Sequence, residues 1–251
     1  MNNKALIAVF LLPFLFSSCI KYKDLITYAE TEKFPATPQA ITNYKPIVIQ
    51  PNDILQIQVS STSELAAAPF NNLAAGGSVN GYLVDANGNV EIPTLGTVNL
   101  TNLTLEEAKE KLKTELQPYF SEKPIVSIRL VNFKVNINGE VRSPGSISVA
   151  NGRMTMLEAI TLAGAFTPYS RRDSILVIRE FNNERTFGYI NFNSAEAFDS
   201  PYFYLQQNDV IYVKPSKLKT TTVRDPATKI LPYVSILTGL AAITLSVLRT
   251  R

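Results

Sequence analysis

Few side chains of this sequence could do acid–base or metal chemistry. Its 251 residues include no histidine and one cysteine. Without histidine, Ser-His triads and most zinc sites are excluded, and the acidic residues form no recognisable catalytic pair at short spacing. Asp53 and Asp209 each follow an asparagine and precede an apolar segment, which indicates turn residues that bond their own backbone. We therefore expect no enzyme activity, no catalytic residue, no metal and no cofactor.

Two clusters of side chains could contact a partner. An aromatic cluster could stack on sugar rings, with buried strand packing as the alternative: Tyr202, Phe203, Tyr204 and Tyr212. The run Arg171-Arg172-Asp173 is typical of a solvated turn, and in an oligomer it could also pair across an interface. The net charge is +3 and no basic run reaches five residues, so we expect no nucleic-acid partner.

Cys19 is the residue whose position predicts a covalent modification. It follows a basic N-terminal region and an apolar run from Ala5 to Phe16 that is too short to span a bilayer. The stretch Leu15-Phe16-Ser17-Ser18-Cys19 resembles the bacterial lipoprotein signal, in which the new N-terminal cysteine is lipidated. We predict a signal peptide over 1–18, a covalent lipid on Cys19 and a proline-broken linker over 19–45. The alternative is a buried cysteine beside an uncleaved anchor.

A second membrane signal lies near the C-terminus. Residues 230–248 carry no charge, and as a helix they would be about 28 Å long, close to the hydrocarbon thickness of a bilayer. We predict a transmembrane helix there, after a linker over 216–229. Small or weakly polar residues recur on it at steps of three and four and form one stripe: Ser235, Thr238, Gly239, Ala242 and Ser246. This stripe could pack helices together, line a wet lumen within a ring of helices, or belong to a single anchor in lipid.

The middle of the chain contains one pattern twice. An Asn-Gly pair, a valine, a proline and a Thr-x-x-Glu-Ala run recur at the same spacing, first from Asn87 to Ala108 and then from Asn138 to Ala159. The shared residues are of turn and capping types. Two copies of one supersecondary unit indicate a modular binding or assembly protein.

Each copy of the pattern predicts a strand, a hairpin turn, a capped helix and a further strand. The pairs Asn87-Gly88 and Asn138-Gly139 predict type I′ turns, in which both central residues have positive φ. A capping box begins each helix: Thr104 with Glu107, and Thr155 with Glu158. The fold class we expect is α+β, with two small mixed-sheet and helix modules over 46–130 and 131–215, followed by one C-terminal transmembrane helix.

Both modules resemble domains of a known family. The first resembles the polysaccharide export domain in Gln50–Leu55, Val90–Gly96, Leu103–Ala108 and Lys123–Val126. The second resembles the soluble-ligand-binding β-grasp domain in Val135–Gly145, Leu157–Ile160, Ala163–Ala165 and Asp209–Pro215. The order of the two is that of the family, so the chain is identified as a member of the outer-membrane polysaccharide export proteins, which are lipoproteins.

The resemblance implies a ring, often an octamer, that passes capsule or exopolysaccharide through an outer-membrane pore made by the C-terminal helices. It also implies an inner-membrane polysaccharide co-polymerase or tyrosine autokinase as a partner. Localisation would be at the outer membrane, lipid-anchored through Cys19, with the bulk of the protein in the periplasm. The expected function is a passive conduit. The alternative is a periplasm-facing lipoprotein that captures glycan or scaffolds envelope proteins, with its terminal helix as a simple anchor.

Overall fold

The fold is described here from a computed structural model of the chain. It describes residues 27, 34, 36–71, 81–150, 152–217, 219 and 226–249. The predicted signal peptide over 1–18 and the predicted lipid attachment at Cys19 lie outside these residues. The described part is α+β, as expected, with two sheet-and-helix domains before a C-terminal helix.

The first domain packs a small antiparallel sheet against a helix. Its elements in chain order are β1 (Ile54–Ser60), α1 (Glu64–Asn71), β2 (Tyr82–Leu83), β3 (Asn89–Ile92), β4 (Gly96–Asn99), α2 (Leu105–Leu116), a 3₁₀ turn (Gln117–Tyr119) and β5 (Ile125–Leu130). The sheet has the order β2-β1-β5, and β3 and β4 form a separate hairpin. In β1, Leu55, Ile57 and Val59 are buried and alternate with outward-facing residues. Helix α2 covers that inner face with Ala108 and Leu112.

The second domain is built around a mixed sheet of five strands. Its elements in chain order are β6 (Lys134–Gly139), β7 (Gly145–Ser148), α3 (Met156–Leu162), β8 (Ser170–Phe181), β9 (Glu184–Ile190), a 3₁₀ turn (Ala195–Asp199) and β10 (Val210–Pro215). The strand order is β7-β6-β10-β8-β9, and only β6 and β10 pair in parallel. Helix α3 packs one side of this sheet through Met156, Ala159 and Ile160. The opposite side of β8, β9 and β10 therefore faces outward.

Both predicted capping boxes are present. The Thr104 hydroxyl accepts from the Glu107 N–H at 3.2 Å, while the Glu107 carboxylate accepts from the Thr104 N–H at 2.8 Å. The corresponding distances for Thr155 and Glu158 are 3.2 and 2.7 Å. These four residues are therefore structural, because each satisfies backbone N–H groups that a helix start leaves without partners.

The two Asn-Gly pairs do not form the type I′ turns that the sequence predicts. In the first copy only Gly88 has a positive φ, of 82°, and its N–H closes a turn on the Asp85 carbonyl at 3.0 Å. In the second copy Gly139 ends β6 beside β10, and a Cβ on it would lie 2.1 Å from the Val213 carbonyl oxygen. Glycine is needed there because the neighbouring strand comes so close. Both predictions are wrong, because Asn87-Gly88 belongs to a local turn held by Asp85 and the neighbouring strand sets the geometry at Gly139.

The prediction of a transmembrane helix over 230–248 is also wrong. A helix is present as α4 (Pro226–Arg249), but among the described residues no helix is both long and apolar enough to cross a membrane. A span needs about 20 consecutive, predominantly apolar residues. In α4, Pro232 and the weakly polar stripe interrupt the aliphatic side chains.

The stripe residues of α4 fall into two groups. Ser235, Thr238 and Gly239 are exposed, and the two hydroxyls bond carbonyl groups of their own helix, Ser235 to Pro232 at 2.8 Å and Thr238 to Val234 at 3.0 Å. Ala242 and Ser246 belong to the same helix, and their side chains are outside the described part. No contact among the described residues assigns the stripe to packing or to a lumen.

Replacing a capping threonine should destabilise its domain. Thr104→Ala and Thr155→Ala should each lower the free energy of unfolding by about 1 kcal/mol, since each removes a hydroxyl acceptor at a helix start. Thr114→Ala in the last turn of α2 is the matched control. Its hydroxyl bonds the Glu110 carbonyl on an exposed face, and alanine is the better helix former, so no loss is expected. Urea unfolding of the three variants is the measurement, and equal losses at all three positions would contradict the capping role.

Candidate functional site

One turn is used twice, at the start of β1 and at the start of β10. The Asp53 carboxylate accepts from the Gln50 N–H at 2.9 Å, and the Asp209 carboxylate accepts from the Gln206 N–H at 2.8 Å. The asparagine before each aspartate has a positive φ, 70° at Asn52 and 64° at the second turn. Asp53 and Asp209 are therefore turn residues, as the sequence indicates, and each is held by its own backbone.

The two buried aspartates differ in the groups that contact their carboxylates. The Arg179 guanidinium donates to the Asp209 carboxylate at 2.9 and 2.7 Å. Burial raises the pKa of Asp209, and Arg179 opposes that rise. The Asp53 carboxylate contacts the Gln50 N–H and the Gln207 amide, and burial raises its pKa to about 6. Burial is the largest cause at both aspartates, and at Asp53 the groups that oppose it are neutral donors.

Amide side chains join the two domains at these turns. Asn132, between β5 and β6, accepts from the Ile54 N–H at 2.9 Å and donates to the Asn52 carbonyl at 3.0 Å. The Gln207 side chain donates to the Asn132 carbonyl at 2.9 Å and accepts from the Lys134 N–H at 2.9 Å. Asn132 and Gln207 therefore connect the turn before β1 to the turn before β10. We call this set of hydrogen bonds the amide junction.

A cleft of about 940 Å³ opens beside the amide junction. One wall comes from the first domain and the other from the β8–β9 hairpin and the turn before β10. The lining residues are Gln50, Pro51, Asn52, Ala86 and Thr101 on one side, and Glu180, Phe181, Asn182, Asn183, Glu184, Arg185 and Asn208 on the other. This volume lies in the range typical of small-ligand sites. The cleft is the candidate functional site.

The β8–β9 hairpin, which forms one wall of the cleft, was not predicted from the sequence. Asn182 and Asn183 have φ of 50° and 61° and join paired strands that close at Phe181 and Glu184. A two-residue loop with positive φ at both positions is the type I′ hairpin. The Asn-Asn pair between two alternating segments could have identified it. The amide junction had no comparable signal, because its partners are far apart in the sequence.

The predicted aromatic cluster is mostly strand and core packing. Phe203 and Tyr204 are buried with ring centroids 5.3 Å apart, and Tyr202 is half-buried. Tyr212 lies in β10 and is partly exposed. The Arg179 guanidinium lies 5.1 Å from the centre of the Tyr202 ring. Packing thus accounts for three of the four aromatic residues, and Tyr212 belongs to a different surface.

Described residues of the predicted linker over 19–45 pack on the second domain. The Asn43 amide donates to the Phe198 and Ser200 carbonyls at 2.7 and 2.8 Å. The Tyr44 ring meets the Tyr204 ring at 5.2 Å, and the Arg153 guanidinium lies 5.4 Å from the first ring and 4.9 Å from the second. This part of the chain therefore crosses the second domain before it enters the first.

The Arg171-Arg172-Asp173 run lies inside strand β8, so its interpretation as a turn is wrong. Arg171 and Asp173 alternate along the strand onto one exposed side and form an ion pair at 2.7 Å. Arg171 holds the pKa of the Asp173 carboxyl below its usual range. Arg172 points the other way, with its guanidinium 5.3 Å from the centre of the Phe166 ring.

The outward side of the second sheet carries an apolar patch on β8, β9 and β10, with the Lys214 ammonium 4.9 Å from the centre of the Tyr189 ring. Phe187 and Tyr189 of β9 are 60% and 58% exposed. Phe187 is paired with Ile178, and Tyr189 with Leu176, which is in turn paired with Tyr212. These five side chains therefore share one surface, the aromatic sheet face. Antiparallel sheets usually present polar residues to water, so an apolar patch on the outer side marks an interaction surface.

Ionisation of Asp53 should reduce stability as pH rises. Its pKa of about 6 in the folded chain lies above the value near 4 expected when unfolded, so the protonated form is favoured by folding. The stabilisation should be fully present below pH 4 and lost as pH rises through about 6. Relative to Asp53→Asn, the wild-type free energy of unfolding should fall by about 2 kcal/mol or less between pH 4 and pH 7.

Urea unfolding at several pH values measures this difference. Asp173→Asn is the control of opposite sign, because its pKa is lowered and its contribution should disappear as pH falls. Parallel stability curves for the wild type and Asp53→Asn between pH 4 and pH 7 would contradict the assignment.

Each of the two domains matches a different protein-family description. Residues 42–131 match the family described as polysaccharide biosynthesis/export protein, and residues 133–213 match the SLBB domain. The EPS I polysaccharide export outer membrane protein EpsA of Ralstonia solanacearum is 27% identical over 139 residues, covering 50% of this chain and 37% of that protein. The protein of the same name from Ralstonia nicotianae is 28% identical over 132 residues, covering 47% of this chain and 34% of its own length.

The chain thus aligns with little more than a third of the length of these relatives. The family resemblance seen in the sequence is confirmed by the two domain matches, which adjoin each other in the expected order. Carrying an export domain followed by an SLBB domain, the chain belongs to the polysaccharide export protein family.

Proposed function

We propose that this protein acts in the export of polysaccharide at the outer membrane, as a binding and assembly component. The observation that carries the proposal is the consecutive match to the export and SLBB domains, with relatives named as outer-membrane polysaccharide export proteins. The described carboxylates also favour this role over bond cleavage. Both fully buried aspartates are tied into turns, where they hold backbone rather than face a groove as glycan-cleaving acids do.

The protein functions as a ring of identical subunits in this proposal, and the aromatic sheet face is where a neighbouring copy packs. Interfaces are enriched in Tyr and Phe at their cores, and Phe187, Tyr189 and Tyr212 supply three such rings next to Leu176 and Ile178. A second copy is the occupant because the family resemblance implies a ring. A contact between this face and a different surface of the next copy is heterologous, and such contacts form a ring when the rotation between neighbouring copies closes.

The outward side of the first sheet is mixed in character. Gln56 lies opposite Arg129 and Gln58 opposite Ser127, while Leu83 and Ile125 are exposed on the two edge strands. The aromatic sheet face differs from it in presenting three aromatic rings, which are the side chains enriched at the cores of interfaces.

Covalent lipid on Cys19 attaches the chain to the outer membrane in this proposal, and the two domains lie in the periplasm. An inner-membrane polysaccharide co-polymerase or tyrosine autokinase delivers the polymer to the ring. In this proposal the two domains form the conduit.

Deleting the gene tests the export role. Polysaccharide outside the cell should fall at least tenfold, polymer should accumulate within the envelope, and the full-length chain should restore secretion when it is supplied on a plasmid. The two polymer pools are measured by sugar analysis of culture medium and of washed cells. Unchanged secretion by the deletion strain would refute the proposal, and loss of polymer from both pools would indicate a role in synthesis instead.

Replacing aromatic residues of the aromatic sheet face tests whether this face holds the ring together. The double variant Phe187→Ser/Tyr189→Ser should convert purified oligomers into monomers, measured by sedimentation velocity in detergent. Leu83→Ser is the matched control, because Leu83 is also 60% exposed but lies in β2 of the first domain. The interface assignment fails if the double variant sediments as the wild type does, or if the control dissociates equally.

A further inference from the structure

Several asparagines whose backbone φ is positive line the cleft. Of the seven non-glycine residues with positive φ in the described part of the chain, four line it: Asn52, Asn182, Asn183 and Asn208. Asparagine tolerates this conformation better than most residues, so the turns account for the residue type. The turns do not account for the convergence, because they come from three separate segments of the sequence and from both domains.

The side-chain amides of these asparagines are unused by the fold. Other asparagine amides bond the backbone, as Asn71 does with Val59 at 2.7 and 2.8 Å and Asn43 does with the Phe198 carbonyl. Within the described residues, no hydrogen bond involves the side-chain amides of the four cleft asparagines or of Gln50. Five donor-and-acceptor groups therefore line one cavity with their hydrogen-bonding capacity directed to solvent.

These groups suit hydroxyl-rich ligands. Each amide presents one acceptor and two donor hydrogens, and a sugar hydroxyl both donates and accepts, so an amide can engage two neighbouring hydroxyls. Phe181 adds an apolar, half-buried surface for the C–H side of a sugar ring. The cleft thus combines a few polar groups with an aromatic contact, the usual composition of a small-ligand site.

Charge at the cleft selects among sugars. Arg185 is paired with Glu180 at 2.6 Å, so these two charges offset each other. Glu184 remains as an exposed carboxylate on the same wall. The net charge of the lining is therefore negative, which repels uronate and other anionic sugars.

We propose that the cleft beside the amide junction binds an uncharged segment of polysaccharide through its unused amide side chains. This inference rests on the proposed export function and adds to it a site and a class of sugar. A set of weak, amide-based contacts also suits a polymer that must move on after binding, because each such hydrogen bond contributes little net free energy.

Titration of the full chain, labelled with ¹⁵N, tests the site. The probes are neutral hexasaccharides of glucose, mannose and galactose, and a hexauronate. The Asn side-chain NH₂ resonances of the cleft should shift with at least one neutral probe and stay unchanged with the hexauronate. Asn182→Gly/Asn183→Gly should weaken that binding about tenfold, since two amides are removed while glycine keeps the turn.

Asn102→Gly is the matched control, because Asn102 also has a positive φ, of 61°, but does not line the cleft. It should bind as the wild type does. Asn208→Gly is a second cleft variant in case the hairpin variant fails to fold. The site is overturned if no neutral probe shifts the cleft amides, if the hexauronate binds equally well, or if the cleft variants bind as the control does.

The sugar titration and the gene deletion test the binding site and the export role independently of each other. If deletion of the gene abolishes secretion but the cleft binds no neutral sugar, the export role stands and the site falls. If the cleft binds neutral sugar but the deletion strain secretes normally, the site stands as a glycan-binding site and the export role falls.

Discussion

The amide junction is the interaction on which the functional interpretation depends. Asn132 bonds backbone atoms of the first domain, and Gln207 links the Asn132 carbonyl to the start of β6. Gln207 is buried and Asn132 is half-buried, and side-chain amides with both ends engaged hold two surfaces in one register. The cleft exists because this register places the turn at Asn52 opposite the β8–β9 hairpin. Without the junction, the lining residues would belong to two independently moving bodies.

The two aspartate turns illustrate how tertiary surroundings change one local motif. Their backbone bonds agree within 0.1 Å, at 2.9 and 2.8 Å. One carboxylate is held by Arg179 and the other by neutral amides, and burial raises the pKa of both, to about 6 at Asp53. The Arg179–Asp209 ion pair lies within the second domain, whereas Asp53 lies beside the junction. The same turn therefore serves packing in one place and domain contact in the other.

Local rules predicted much of the fold and little of the site. The capping boxes and the alternating strand β1 depend on residues close in sequence, and both were found as expected. The turn at Gly139 was predicted wrongly because the distant strand β10 sets its geometry. The packing of Tyr44 on Tyr204 joins two residues that are separated in the sequence by the whole first domain. The cleft joins five separate segments of the sequence, so no local pattern could predict it, although the Asn-Asn pair could have predicted the hairpin in its wall.

Scanning calorimetry of the full chain tests the central claim that the amide junction makes the two domains one unit. The wild type should unfold in a single transition over the described domains, with calorimetric and van't Hoff enthalpies in agreement. Asn132→Ala should divide it into two transitions, because the variant removes the bonds to Ile54 and Asn52 without opening either core. Two independent transitions in the wild type, or one unchanged transition in the variant, would contradict the account.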